Sequence, residues 1–393
     1  MNREKIEELM MKIYSSNEAA EYLGISVQRL HKKVQEGRIK PIKANKSYTL
    51  FYKDDLDEIC VKNVIGTNND NELKLDIDNS HIRNAILYFT IQQYFNYNDK
   101  KTIAFIKNLE VDNNFSFDDK LKTNMDILSK NLNIDVGDFY KKYTFVKNSF
   151  KDLSEDVIVV SLKDFEYPEL LRDIENAPPY IFLKGNVELL KEKSVSIVGS
   201  RNASQESIEK TTRLVKSLVK RNIVVNAGLA KGIDTATHTA ALKYGGKTIA
   251  VIGTPINQYY PKENINLQKE IEENGLVVSQ FPPCNSVNRW NFPTRNATMS
   301  GISLATIIME AGETSGALIQ ARCALKQKRE VLIPNSLLSN SFIKWPTQFV
   351  KKGAKTFNDL KDVLTILGKK DLFSNDLFLK DRNGVIINVE MDD

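Results

Sequence analysis

From Val157 to Leu367 short apolar runs alternate with stretches of helical spacing, and that alternation constrains the fold more than any other feature of the chain. Six runs stand out: Val195–Val198, Ile223–Val225, Thr248–Ile252, Leu276–Val278, Ala305–Met309 and Val331–Ile333. Each is continuously apolar rather than alternating, the pattern of a strand buried on both faces. Between them lie helical patterns over Gln205–Lys220, Asp234–Tyr244, Glu263–Glu273, a stretch from Thr294, and Ser315–Lys326. Strand and helix in strict turn predict an α/β, Rossmann-like doubly wound sheet, mostly parallel, which binds ligands beyond the carboxyl ends of its strands.

At 393 residues the chain is long enough for two or three domains. We divide it into a winged helix-turn-helix over 1–62, a helical domain over 80–152, the Rossmann-like domain over 153–368 and a tail, 369–393, without assignment. An Asn- and Asp-rich linker, Thr67 to Asn79, precedes the helical part, where Ile86, Leu87, Phe89, Ile91, Tyr94 and Phe95 recur at helical spacing. The charged start, Met1 to Lys12, does not read as a signal peptide, and the longest apolar run, Ile302 to Met309, is too short to span a bilayer. Cys60, Cys284 and Cys323 form neither a disulfide framework nor a metal spacing, and His81 stands far from His238. We therefore expect a cytoplasmic protein, with no membrane partner, no metal and no cofactor. A net charge of +5 is weak evidence for nucleic acid, because Lys and Asn are abundant throughout; local clustering matters more.

Such clustering occurs at the front. Ser16 is placed to cap a first helix whose buried face carries Ala19, Ala20 and Leu23, and Gly24 ends it. Ser26 caps a second helix, Val27 to Glu36, terminated by Gly37. Two β-prone runs, Ile39–Ile42 and Tyr48–Tyr52, then form a wing joined at Ala44-Asn45-Lys46. Between Ser26 and Lys46 there are seven Lys or Arg and one acid, the footprint of a duplex reader. Gln28, Arg29 and Lys32 are assigned to the major groove, and Lys43 and Lys46 to wing contacts. A solvated face or a protein-docking module are the competing readings. In order and spacing the segment resembles excisionase- and MerR-type winged helices.

In the α/β region the first strand runs into Gly199-Ser200-Arg201, where a glycine permits close backbone approach and the arginine offers a forked cation to phosphate. The second runs into a loop holding Gly228, Lys231 and Gly232, with Asp234 expected to cap the next helix. Turn geometry alone also explains such glycines. Gly246-Lys247-Thr248 precedes its strand and so cannot cradle a triphosphate as a P-loop would. Arg289 to Asn296 interleaves two arginines, Arg289 and Arg295, with two aromatics, Trp290 and Phe292, the mixture a single strand needs for phosphate pairing and base stacking. One of those aromatics is expected to be a core anchor instead.

The ordered pieces YPELL, APPYIFLKGN, VSIVGSR, GLAKGID, AVIGTPINQYYPKEN, FPTRN, MEAGETSGALIQA and KKGA, between Tyr167 and Ala354, resemble the DNA-processing protein A family (DprA, also called Smf). The resemblance implies a Rossmann-like fold, single-stranded DNA binding, delivery of a RecA-type recombinase onto that strand, and homodimerisation. Carried over by motif, it points to Arg201, Arg289, Phe292 and Arg295, with Lys247 added, and with Gly199, Ser200, Gly228, Lys231, Gly232 and Asn296 around them. Four positions depart from the family pattern: Ala297 replaces an arginine, Ala227 a serine, Gln280 a glutamate and Asn335 a glycine. Together with a winged helix at the unusual end, they leave room for a specialised paralogue serving a mobile element or anti-phage defence. No catalytic residue is assigned. Glu310, at a strand end, is the best candidate, and the fold's likeness to LOG-type nucleotide N-glycosidic hydrolases keeps that alternative open, as does a non-catalytic nucleotide sensor.

Overall fold

The computed structural model describes residues 13–22, 27–35, 39–44, 49–52, 79–112, 115–368, 379–380 and 386–387. At the front, β1 (Ile13–Ser15) leads into α1 (Ser16–Tyr22) and α2 (Val27–Gln35), followed by β2 (Lys43–Ala44) and β3 (Thr49–Tyr52). The strands form one antiparallel sheet in the order β1-β3-β2. Ala19, Ala20, Leu30, Ile39 and Phe51 make its core. Three details differ from expectation. Ser15, rather than Ser16, caps α1: its N–H and hydroxyl donate to Glu18 at 2.8 and 2.7 Å, and its Oγ accepts from Glu18 N at 3.4 Å, a reciprocal capping box. The strand β1 completes a sheet expected to have two strands. The run Ile39–Ile42 is not a strand; Ile39 turns into the core, and Ile42 N, donating to Leu50 O at 2.9 Å, leads into the ladder that starts at Lys43. The assigned helix signals Gly24, Ser26 and Gly37, the wing residue Lys46 and most of the linker lie outside the described residues.

Four helices follow: α3 (Ser80–Tyr94), α4 (Asp99–Asp112), α5 (Leu121–Leu132) and α6 (Val136–Lys151). Asn79 and Asp135 cap α3 and α6 through their side-chain oxygens. Nine residues of α3 are buried, from Ile82 to Gln92, so this helix is apolar nearly all round. Its outer face meets the other helices and its inner face meets the sheet. Phe89 stacks on Phe182 at 5.7 Å and Phe150 tilts against the same ring at 5.8 Å, giving the helical layer and the sheet edge one continuous core.

The remaining elements build the α/β body: β4 (Ile158–Ser161), α7 (Glu169–Arg172), β5 (Tyr180–Gly185), β6 (Ser194–Gly199), α8 (Gln205–Val219), β7 (Val224–Ala227), α9 (Ile233–Lys243), β8 (Thr248–Ile252), α10 (Ile265–Asn274), β9 (Leu276–Ser279), α11 (Asn291–Gly301), β10 (Ala305–Glu310), α12 (Gly316–Lys326), β11 (Glu330–Pro334), α13 (Trp345–Lys351), β12 (Lys355–Phe357) and α14 (Leu360–Ile366). The nine strands lie in the order β12-β11-β10-β6-β7-β8-β9-β5-β4. From β12 to β9 neighbours are parallel; β5 is antiparallel to β9, and β4 to β5. All six anticipated strands are present, and β4, β5 and β12 are added at the two edges. The chain steps outward from β6 to β9, then returns to β10 on the other side of β6. That reversal is the topological switch point, and a doubly wound sheet opens a ligand crevice there.

Candidate nucleic-acid interface

A cleft of about 700 Å³ opens at this switch point, beyond the carboxyl ends of β6 and β10. Among the assigned residues, Gly199, Ser200, Arg201, Arg289, Phe292, Arg295 and Asn296 line it. Arg201 and Arg289 are exposed and take no ion pair among the described residues. The Arg201 guanidinium sits 5.9 Å from the Phe292 ring, which tilts against Tyr260 at 5.5 Å. Beneath, a Cβ at Gly253 would stand 2.8 Å from Phe292 Cδ1, so that glycine seats the ring. Phe292 is thus the anchored aromatic of its segment, while Trp290 is 72% exposed.

Arg295 differs from the other two arginines. It is buried, and its Nη1 donates to the carbonyl of Gly228 at 2.6 Å and to that of Val251, while Nε donates to Asn296 Oδ1 at 3.0 Å. Burial lowers its pKa to about 10, opposed by Asp234 and reinforced by Arg201, so it stays protonated at neutral pH. Arg295 is therefore a strut as well as a lining residue: Nη1 joins the loop after β7 to strand β8, beneath the cleft. Gly228 serves that strut, since a Cβ there would fall 2.2 Å from Arg295 Nη1. Gly232, at φ +75°, would collide with Ser200 O at 2.2 Å, and Gly199 with Ile233 Cγ1 at 2.5 Å. These three glycines pack loop on loop. Asp234 does not cap α9; Oδ2 accepts from the N–H of Gly228 at 3.1 Å and of Ala230 at 3.2 Å and closes the preceding loop. Burial raises its pKa, against the pull of Arg295 and those two N–H groups.

Two assigned lysines stand elsewhere. Lys247 precedes β8, at the amino edge of the parallel sheet, with Nζ 3.3 Å from Asn274 O; strand direction puts it at the end opposite the cleft. Lys231 pairs with Glu263 at 2.7 Å on the surface and does not line the cleft. Glu310 also turns away: Oε2 accepts from Ser204 N at 3.0 Å and Ser204 Oγ at 2.7 Å, at the start of α8. Partial burial works against its ionisation, but hydrogen bonds from Ser207 and Ser204 outweigh it and lower its pKa. His238 is fully buried, with Nδ1 2.7 Å from Thr248 Oγ1, and burial lowers its pKa to about 3, leaving a neutral packing residue.

The loop before α12 forms a further wall of the cleft, one to which no residue was assigned from sequence. Gly312, Thr314, Ser315 and Gly316 line the cleft, and Ser315 caps α12 through a hydrogen bond from Ala317 N. A Cβ at Gly312 or Gly316 would meet nothing within 4 Å. Unlike Gly228, these glycines answer no internal contact; they leave backbone open where a helix amino end faces the cleft. Asn296 Nδ2 ties α11 to this loop through Gly316 O at 3.3 Å.

At the front, α2 leans on the α/β body. Lys32 Nζ donates to the carbonyl of Glu155, Arg29 lies 4.0 Å from the Glu155 carboxylate, and buried His31 meets Glu188 at 3.2 Å. Burial lowers the His31 pKa to about 4, opposed by Glu188 and reinforced by Lys191. The helix assigned to a major groove thus faces its own protein. Gln28 is half-buried on the same helix, and Lys43 falls in β2. Among the described residues no cluster of His, Cys, Asp and Glu is placed to hold a metal, and no helix is long and apolar enough to cross a membrane.

Fold and cleft together define a Rossmann-type protein with an open, arginine-lined cleft at its switch point, preceded by a helix-turn-helix. Comparison with known proteins narrows this class. Residues 158–368 match the model of the family described as DNA recombination-mediator protein A, and residues 13–59 match a helix-turn-helix domain. The chain belongs to the DNA recombination-mediator protein A family. It is 40% identical over 205 residues to the DNA processing protein DprA of Streptococcus pneumoniae, covering 52% of this chain and 72% of that protein. It is 32% identical over 239 residues to the Bacillus subtilis protein of the same name, covering 61% and 80%. The X-ray structure of the Streptococcus pneumoniae protein superposes with a TM-score of 0.59 at 30% identity, over 71% of this chain and 97% of that one.

Proposed function

We propose that this chain binds single-stranded DNA along the switch-point cleft and acts in DNA recombination. One observation carries the reading: Arg201, Arg289, the seated Phe292 ring and the open amino end of α12 converge on one cleft. Unpaired cations and an open helix end suit phosphates, and adjacent aromatics suit bases. Handing a RecA-type recombinase onto the bound strand and pairing with a second copy belong to the same reading, which places the protein in the cytoplasm. The cleft binds and does not cut: Glu310, the best carboxylate for chemistry, is occupied at the start of α8. The winged helix reads duplex DNA once α2 leaves the α/β body.

The test is oligothymidylate binding by the full chain at two salt concentrations. Arg201→Ala with Arg289→Ala should weaken binding and reduce the salt slope by about 1.4, at roughly 0.7 per phosphate contact on a single strand. If the wild type ignores oligothymidylate at low salt yet binds a mononucleotide tightly, the cleft is a nucleotide sensor.

A further inference from the structure

We infer that Trp290 is a base-stacking platform at the rim of the cleft, taking an unpaired nucleobase of the strand whose phosphates run past Arg289. This rests on the single-strand reading above and adds to it a site for a base outside the cleft. Trp290 sits between two residues that line the cleft, Arg289 and Phe292, at the cap position of α11. Its backbone is held: the carbonyl accepts from Thr294 N at 3.2 Å and from Thr294 Oγ1 at 2.8 Å. Its indole, in contrast, is 72% exposed and makes no ring contact among the described residues. Phe292 presents the opposite case, engaged by Tyr260, Arg201 and the space over Gly253. Of the two aromatics in the basic segment, the tryptophan offers the more open face.

A tryptophan is the largest apolar surface a chain can leave in water, and a single exposed one is not in itself a site. Here its base is rigid, and the neighbouring Arg289 and the more distant Arg201 supply the charge complementarity that brings a polyanion to it. Every nucleobase has a π-face, so such a platform adds affinity without sequence preference. The other tryptophan, Trp345, is 1% exposed with Nε1 donating to Ala311 O at 2.8 Å, so a ligand-induced change in indole emission reports on Trp290.

The experiment uses the full chain and two probes, oligothymidylate of roughly sixteen nucleotides and a strand of the same length made of abasic sites. The wild type should show quenched tryptophan emission with oligothymidylate and little change with the abasic strand. Trp290→Ala should bind oligothymidylate about ten- to a hundredfold more weakly, the equivalent of one lost stack. Its affinity for the abasic strand should be unchanged, and Trp290→Phe should recover part of the loss. Equal affinity of Trp290→Ala and wild type for oligothymidylate, with Arg201→Ala and Arg289→Ala still weakened, overturns the platform alone. If the wild type binds neither strand, the single-strand reading fails first, and the platform with it.

Discussion

At the residue scale, the same charged or ionisable side chain takes opposite roles according to its burial. Arg201 and Arg289 are solvated cations, free to exchange counterions for phosphate, whereas buried Arg295 holds two carbonyls inside the protein through Nη1. Replacing the first two should spare folding, while removing the third leaves buried carbonyls unpaired, each costing about 1–3 kcal/mol. His238 shows how burial couples to pH. Its folded pKa is about 3, against 6.5 for a free histidine, because the buried ring cannot accept charge. Between those values the unfolded chain takes up a proton that the folded chain refuses, so the contribution is intact above pH 6.5 and is lost as pH falls. From pH 6.5 to 5 the loss amounts to about 2 kcal/mol. His238→Gln should therefore show a flatter stability profile over that interval, measured by denaturant unfolding at each pH; an unchanged slope would mean that His238 takes up a proton in the folded state.

At the scale of elements, the loops at the strand ends divide into those closed on one another and one left open. Gly228→Ala drives a methyl group into the Arg295 guanidinium and should destabilise the fold by about 1–3 kcal/mol. Gly316→Ala meets nothing and should leave stability unchanged or raise it by up to about 1 kcal/mol, yet weaken oligothymidylate binding by filling the space over the start of α12. Paired melting and binding curves separate the two; weakened folding in Gly316→Ala would refute the open-loop assignment. The contrast also explains what sequence could reveal. The six central strands were legible because burial on both faces leaves an unbroken apolar run, while β12 has three residues with only Phe357 buried, and β1 is a three-residue edge. Arg201, Arg289 and Phe292 were legible because strand-end position and basic-aromatic spacing are properties of sequence. The bonds of Arg295 to backbone carbonyls were not legible because composition does not show burial. Lys247 was misplaced because a parallel sheet sends the start of β8 to the far end. The importance of Trp290 and Gly316 lies in what does not touch them, and only the packed structure shows that.

At the scale of the whole molecule, the arrangement of the front segment sets a relation between the two surfaces proposed to bind DNA. The cleft at the switch point is open, but α2 is turned toward the α/β body, where Arg29 faces the Glu155 carboxylate, Lys32 the Glu155 carbonyl and His31 the Glu188 carboxylate. Helix and duplex cannot share Arg29 and Lys32, so duplex binding through those side chains must displace the docking contacts. The exposed Arg29–Glu155 pair is worth about 0–1 kcal/mol, a restraint weak enough to be released by a ligand and strong enough to be measured. Glu155→Ala with Glu188→Ala should therefore raise affinity for a short duplex by up to about tenfold, by relieving the competing state. Oligothymidylate binding should not move, because neither glutamate lines the cleft. Adding Arg29→Ala and Lys32→Ala should abolish the gain, which separates release of the helix from a general loss of negative charge. A double glutamate variant with wild-type duplex affinity would show that these contacts do not restrain the winged helix, and α2 would then be a docking element whose partner is the α/β body itself.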